Sequence, residues 1–166
     1  DPANKAAMQT DSIFWIASIT KPITATAILM LEEEGKLSVE DAVSKYIPEL
    51  GGLKTKDGAA APVTLRHLLT HTSGMGEATP AEAQAARTLA QLIPAFASKP
   101  LGFVPGSKWQ YCQSGINTLG RIVEVVSGMP FEEFLKARLF VPLQMKDTTF
   151  YLTADQMPRY VTPAEL

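Results

Sequence analysis

The segment from Ser18 to Glu34 constrains the fold most, because it reads as a single helix that is apolar on nearly every side. Its apolar residues fall all around a helical projection: Ile23, Ala25, Ala27, Ile28, Leu29, Met30 and Leu31. A helix of this kind is buried on more than one side in a folded protein. We therefore predict a helix from about Ser18 to Glu34 that is ended by Gly35 and packs on two sides.

The remaining pattern predicts a mainly α chain. Five further helical segments are expected, over about residues 38–47, 64–71, 81–98, 114–127 and 131–140. Ser38 and Thr64 are plausible N-caps, and Gly128 ends the fourth of these helices. Pro94 is expected to bend or end the third, because proline removes a hydrogen bond from a helix interior. Residues 51–63 read as a loop or short hairpin, and residues 143–153 as turn and extended chain.

Composition narrows the class of protein. With 166 residues the chain can build one domain with a real core, so we treat residues 1–166 as a single domain. The net charge of -2 gives no basic face for nucleic acid. Cys112 is the single cysteine, which excludes an internal disulfide and a cysteine-rich zinc site. No apolar run is long enough to span a bilayer, and no signal-peptide pattern is visible at the N-terminus.

Ser18 and Lys21 are the first candidates for chemistry. Residues three apart lie on one face of a helix, so the two side chains can meet. A serine hydroxyl becomes a good nucleophile when a base takes its proton, and a desolvated lysine amine can serve as that base. The alternative is an N-cap serine beside a solvated lysine. The apolar helix favours the chemical interpretation, because a lysine that enters such a helix needs a partner.

Tyr111 and Gln113 form a second candidate group in the stretch "KWQYCQSG". A lysine ammonium favours the phenolate form of a nearby tyrosine, which can then act as a general base. The carboxamide of Gln113 could orient an amide substrate. The structural alternatives are a packed aromatic residue for Tyr111 and an ordinary polar residue at a helix start for Gln113.

A metal site at His67 and His71 has to be weighed, since residues four apart share a helix face. Leu68 stands where a His-Glu-x-x-His motif would carry its glutamate, and no third ligand stands out. We therefore predict no metal ion at this pair.

Several of these segments together resemble the serine β-lactamase-related hydrolases of class C type, which include D-alanyl-D-alanine carboxypeptidases and esterases of the same fold. The matching stretches are "IASITKPITATAILMLEEEGKLSVEDAVSKYIPEL", "VTLRHLLTHTSGM", "PGSKWQYCQSGINTLGRIVEVVSG" and "FEEFLKARLFVPLQMKDTTF". The Ser-x-x-Lys motif, followed by "LRHLLTHTSG", is the most specific part. The resemblance implies that this chain is the helical part of the α/β serine β-lactamase/DD-peptidase-like fold, with most of the sheet missing.

The resemblance also implies roles for the candidate residues. Ser18 would be the acylated nucleophile, Lys21 its proton partner and Tyr111 the general base, with no cofactor. His67 and His71 would both be structural, with His71 starting the loop beneath the site. Small esters, β-lactams or D-amino-acid peptides would be the substrates. The family's tyrosine motif commonly carries Asn where this chain has Gln113, which favours an esterase-like or peptidase-like activity over β-lactam turnover. The resemblance is compatible with a periplasmic or secreted protein, but the sequence itself does not give the compartment.

Resemblance further suggests that the chain is a partial domain. No Lys-Thr-Gly or His-x-Gly triplet follows Tyr111, although family members carry this third motif on a strand. We therefore expect the isolated chain to self-associate or to pair with the remainder of the domain, and to be nearly inactive. The rival hypothesis is a non-catalytic binding or scaffold protein of the same fold. The joint presence of Ser18, Lys21 and Tyr111 argues against that rival.

Overall fold

The computed structural model describes residues 7–161, and its regular structure in that range is helical. Six α-helices follow one another: α1 (Thr20–Glu33), α2 (Leu65–Leu69), α3 (Pro80–Ala85), α4 (Leu89–Ala97), α5 (Gln113–Ser127) and α6 (Phe131–Leu135). A π-helical turn, Lys136–Phe140, continues α6. Residues 7–161 contain isolated β-bridges but no named strand. The prediction of a mainly α chain is confirmed.

The contacts divide the chain into two compact units. One contains Asp1–Thr20 and Glu132–Leu166, and the other contains Lys21–Phe131. In the described part of the first unit, a parallel bridge joins Ile13 to Tyr160. Arg159 binds the carboxylate of Asp147 with both terminal nitrogens, at 2.9 and 2.5 Å. The second unit holds α2 to α5 and nearly all of α1.

The core of the second unit is built around α5, which packs against both α2 and α4. Its buried residues are Ser114, Gly115, Ile116, Thr118, Leu119, Gly120, Ile122 and Val123. The tightest approach is at Gly120, whereas the contact at Gly115 is an ordinary one. A Cβ at Gly115 would lie 3.6 Å from a side-chain carbon of Leu68 in α2, and one at Gly120 would lie 2.9 Å from Leu89 in α4.

Helix α1 is buried along one face and exposed on the opposite side. Thr24, Ala27, Ile28 and Leu31 are buried, whereas Leu29 is 51% exposed. The described residues therefore cover one side of a helix whose composition predicts burial on two. The helix begins two residues later than predicted, because Ala17–Ile19 forms a 3₁₀ turn ahead of it. Gly35 follows its end with a φ of 69°, as predicted for a C-terminal glycine.

A histidine completes the N-terminal cap of α2. The Thr64 hydroxyl accepts a hydrogen bond from the backbone N–H of His67, and the Nδ1 atom of His67 accepts one from the backbone N–H of Thr64. The capping role predicted for Thr64 is confirmed. His67 takes the place that glutamate or glutamine usually holds in such a reciprocal cap.

The helix predicted over residues 38–47 is wrong. Only the 3₁₀ turn Val43–Lys45 forms, and Ala42 is extended and bridges to Thr64. The backbone of this segment pairs with residues 63–66 instead: the Val43 N–H donates to the Val63 carbonyl at 2.8 Å, and the Val39 carbonyl accepts from the Arg66 N–H at 2.8 Å. Backbone groups used in these longer-range hydrogen bonds are not available for a continuous helix.

The predicted helix over residues 81–98 is instead two helices. The break lies between Ala85 and Leu89, not near Pro94, which lies inside α4. Thr88 starts α4 by accepting a hydrogen bond from the Gln91 backbone N–H at 3.3 Å. The N-cap at Thr88 therefore starts a separate helix upstream of Pro94. No helix within residues 7–161 has the length and apolarity needed to cross a bilayer.

We predict that Gly128→Ala destabilises the protein and that Gly52→Ala does not. Gly128 has a φ of 71° at the C-terminal cap of α5, where a Cβ costs about 1–2 kcal/mol. At both glycines an added Cβ would meet no other atom within 4 Å, so backbone conformation separates the two variants. Urea unfolding should show the loss for Gly128→Ala. Equal midpoints for the two variants would contradict the left-handed cap.

Candidate active site

Lys21 is the centre of a polar group in the second unit. Its Nζ donates a hydrogen bond of 2.7 Å to the Oε1 atom of Gln113, which lies 92 positions away in the sequence. The same Nζ lies 4.8 Å from the centroid of the Tyr111 ring. Three of the four site residues proposed from the sequence are therefore in contact. A lysine in this position polarises the carboxamide and makes a cation–π contact with the tyrosine ring.

Tyr111 and Gln113 reach Lys21 because the chain enters α5 in an extended conformation. Cys112, the N-cap, has φ and ψ of -143° and 119°, so neighbouring side chains point to opposite sides. Cys112 is buried, while Tyr111 remains 48% exposed. The Nε2 atom of Gln113 donates to Asn117 Oδ1 at 3.1 Å. The carboxamide of Gln113 is thus held at both ends, with its oxygen toward the ammonium.

Ser18 lies in the first unit, in the exposed 3₁₀ turn Ala17–Ile19 that leads into α1. The residue before it, Ala17, has a φ of 44°. A residue with a Cβ is rarely found in this left-handed region, which costs about 1–2 kcal/mol. Backbone strain of this kind is often found beside functional groups. Chain connectivity places Ser18 three residues before Lys21.

His71 contacts the tyrosine segment at three points, a role that the sequence pattern did not predict. Its carbonyl accepts a hydrogen bond from the Gln110 backbone N–H at 2.9 Å. Its Nδ1 accepts one from the Cys112 backbone N–H at 3.2 Å. Its ring centre lies 4.8 Å from that of Tyr111, at a tilt of 32°. An accepting Nδ1 requires the neutral imidazole.

Electrostatics keep His71 neutral. Burial and the nearby Lys21 ammonium lower the pKa of the His71 imidazole, while the carboxylate of Glu77 acts in the opposite direction. His67 also has a pKa lowered by burial. Because each histidine uses Nδ1 as an acceptor from a different backbone N–H, the two do not form a shared ligand pair. In residues 7–161 no three His, Cys, Asp or Glu side chains are grouped so that they could hold a metal ion.

Glu77 is the second functional candidate that sequence reasoning missed. Its carboxylate accepts hydrogen bonds from the backbone N–H groups of Gln113 at 2.5 Å and Ser114 at 2.9 Å. These are donors in the first turn of α5, where Cys112 makes no side-chain cap. A carboxylate at a helix N-terminus is stabilised by the helix dipole. The contact spans 36 residues, so no local motif could have indicated it.

The thiol of Cys112 is unsuited to nucleophilic chemistry. Its sulfur lies 2.9 Å from the Ser114 hydroxyl and 3.6 Å from the Met75 carbonyl. Burial raises the pKa of this thiol above its ordinary value. A buried, protonated thiol is a poor nucleophile. The chemistry of this region is therefore that of a lysine, a tyrosine and a glutamine.

Comparison with known proteins agrees on one family. A family model described as Beta-lactamase matches residues 1–165. Esterase EstB of Burkholderia gladioli is 36% identical over 157 residues, which cover 86% of this chain and 40% of that protein. The D-alanyl-D-alanine-carboxypeptidase/endopeptidase AmpH of Escherichia coli K12 is 31% identical, with coverage of 95% of this chain and 42% of that protein.

Solved structures give the same answer for the fold. The β-lactamase/D-alanine carboxypeptidase of Yersinia pestis, solved as a citrate complex, superposes with a TM-score of 0.84 at 28% identity. The superposition covers 97% of this chain and 47% of that one. The chain thus spans less than half the length of these relatives. The predicted identity as a helical part of the β-lactamase/DD-peptidase fold is confirmed.

We predict that stability falls as the pH drops below about 6.5, and that His71→Asn reduces this dependence. A lowered pKa in the folded state means that the unfolded state binds the proton first, so folding is penalised as pH falls through this window. Asn retains an acceptor oxygen and tolerates the φ of 57° at this position. Unfolding free energies should be measured between about pH 7.5 and pH 5.

The range from about pH 7.5 to pH 5 is the one in which histidine side chains titrate. The pKa values of the Asp41, Glu82 and Asp147 carboxylates are lowered to about 2, so their contribution to stability is lost as the pH falls from the ordinary carboxylate pKa of about 4 toward 2, below the histidine window. An identical pH slope in His71→Asn and the wild-type protein would show that His71 does not couple protonation to folding.

Proposed function

The chain belongs to the Beta-lactamase family, and on that premise we propose that it carries the nucleophile and the base of a serine hydrolase acting by acyl transfer. Ser18 is the nucleophile, Tyr111 the general base, and Lys21 the cation that prepares the base. Gln113 holds Lys21 in place. The substrates are small esters, β-lactams or D-amino-acid peptides, with esters favoured. The reaction needs no cofactor.

The observation that carries this proposal is the position of Lys21. Its ammonium reaches both the Gln113 oxygen, at 2.7 Å, and the face of the Tyr111 ring, with the centroid 4.8 Å away. A structural lysine on a helix surface would extend into solvent, whereas this one is directed at a phenol and a carboxamide. A cation beside a phenol favours the phenolate, which is the form that can accept a proton.

The proposed reaction has two halves. The Tyr111 oxygen takes the proton of Ser18 Oγ as that oxygen attacks the carbonyl carbon. The tetrahedral intermediate collapses, Tyr111 returns the proton to the leaving alcohol or amine, and an ester of Ser18 remains. A water molecule, deprotonated by the same tyrosine, then attacks this acyl-enzyme and releases the acid and the free serine.

Two further features support the assignment. The strained Ala17 precedes Ser18 in an exposed turn, which is a suitable setting for a nucleophile that has to meet substrate. Gln113 stands where the family commonly carries Asn and reaches one methylene further, which favours esters over β-lactams. Its oxygen accepts from Lys21 and its nitrogen donates to Asn117, so the carboxamide is held beside the proposed base.

A covalent probe tests the proposal directly. The full-length protein should be incubated with a fluorophosphonate and, separately, with a penicillin, and then digested for mass spectrometry. We expect an adduct on the peptide that contains Ser18. A folded full-length protein that acquires no label from either probe would favour a non-catalytic scaffold.

We predict that Ser18→Ala in the full-length protein abolishes acylation and leaves the fold intact. Removing a hydroxyl at a helix start costs about 1 kcal/mol of stability, whereas removing a nucleophile ends covalent catalysis. Ser98→Ala is the matched control, since Ser98 is also an exposed serine at a helix end and its hydroxyl donates to the Ala95 carbonyl. Hydrolysis of a p-nitrophenyl ester by Ser18→Ala at the wild-type rate would disprove the assignment.

We predict that Tyr111→Phe lowers kcat by about 10²–10⁴-fold, which is the usual contribution of a positioned acid–base group. Tyr46→Phe serves as the control, because it also removes a hydroxyl with a polar partner, Asp41. The measurement is the pH dependence of ester hydrolysis. If the Phe variant keeps the wild-type pH–rate profile, Tyr111 has a structural role only.

A further inference from the structure

The loop that follows α2 binds the chain on both sides of the catalytic tyrosine position. His71 accepts hydrogen bonds from the backbone N–H groups of Gln110 and Cys112, at 2.9 and 3.2 Å. Glu77 accepts from those of Gln113 and Ser114, at 2.5 and 2.9 Å. Four backbone donors of the segment 110–114 therefore bind two residues of one loop.

Ahead of α5 the backbone of the segment lacks the regular hydrogen bonds of a helix or a strand. Gln110 is exposed, and residues 107–110 have no helical or strand structure. Cys112 provides no side-chain cap for α5. Without these acceptors, the N–H groups at the start of α5 would need water, and the extended stretch that carries Tyr111 would lose its backbone hydrogen bonds to the loop.

The loop itself is held rigidly enough to act as a support. His71 is in the left-handed region, with a φ of 57°. Gly74 has a φ of 72°, and a Cβ there would lie 2.7 Å from the Phe103 carbonyl oxygen. The Gly102 backbone N–H donates to the Gly74 carbonyl at 2.7 Å. Close backbone contact on this side limits how far the loop can move.

We propose that His71 and Glu77 are positioning residues that hold Tyr111 and Gln113 against Lys21. This inference rests on the proposed function. His71 supports the Tyr111 ring by stacking and fixes the backbone on both sides of it. Glu77 fixes the backbone N–H of Gln113, the residue whose side chain accepts the Lys21 hydrogen bond. Neither residue takes part in the proton transfers.

Charge makes Glu77 well suited to this task. Its carboxylate lies at the positive end of a 15-residue helix and binds two adjacent N–H groups with its two oxygens. Glutamine in this position has the same size but only one acceptor oxygen and no charge. One of the two N–H groups then loses its partner, and the first turn of α5 can shift. Misplacement of a reacting group by about 1 Å costs about 10²-fold in rate.

The test is Glu77→Gln in the full-length protein, with Glu124→Gln as the matched control. Glu124 is also a carboxylate that accepts a backbone N–H at the start of a helix, that of Phe131 at 3.3 Å. It lies 11 residues further along α5, about 16 Å from Gln113. Both variants should melt at a lower temperature than the wild type. Only Glu77→Gln should lower kcat and the rate of Ser18 acylation, by about 10–100-fold, with KM nearly unchanged.

A second variant covers the case in which Glu77→Gln does not fold. His71→Asn keeps an acceptor oxygen and tolerates the left-handed backbone, but it removes the ring that stacks on Tyr111. We expect a lower kcat with KM nearly unchanged. A folded Glu77→Gln or His71→Asn variant with wild-type kcat would overturn the role of that residue.

Failure of the proposed function can be recognised separately. If the probe does not label Ser18 in the wild-type protein, the proposed function fails and this inference fails with it. If the wild type is labelled and both variants are labelled at the same rate as the wild type, the hydrolase assignment stands and only the positioning role is disproved.

Discussion

The close packing of α5 against α2 and α4 is the constraint on which the second unit depends. At Gly115 and Gly120 the helix approaches Leu68 and Leu89 so closely that a larger side chain would contact or displace them. Because the helix is held at two points along its length, the direction of its N-terminus is defined. Tyr111, Cys112 and Gln113 lie at that end, so core packing sets the geometry of the candidate site.

Two charged residues also fix the N-terminus of α5. The N-terminus of α5 has a carboxylate, Glu77, on its backbone donors and an ammonium, Lys21, on the side chain of its first residue. The two groups have opposite signs and bind different parts of Gln113, the backbone and the carboxamide. Gln113 is thereby fixed in both backbone and side chain, so the acceptor that holds the Lys21 ammonium has a defined position.

Local sequence signals predicted a helix end correctly where the conformation of a single residue determines it. The ends of α1 and α5 follow from Gly35 and Gly128, both of which adopt the left-handed conformation. The failures have different causes. The backbone of residues 39–43 pairs with residues 63–66, which prevents a helix over residues 38–47, and the Thr88–Gln91 cap divides the helix predicted around Pro94. The Thr88–Gln91 spacing is visible in the sequence and could have indicated that break.

The sequence by itself determined the family, the helical character and the candidates Ser18, Lys21, Tyr111 and Gln113. Motif residues and hydrophobic periodicity involve positions close together in the sequence, so they can be recognised without the structure. Only the tertiary structure decided what surrounds them. The Lys21–Gln113 hydrogen bond joins residues 92 positions apart, and the support from His71 and Glu77 reaches across 41 and 36 positions. Contacts of that length have no local signature, since they depend on how separate segments pack together and not on the conformational preferences of either segment.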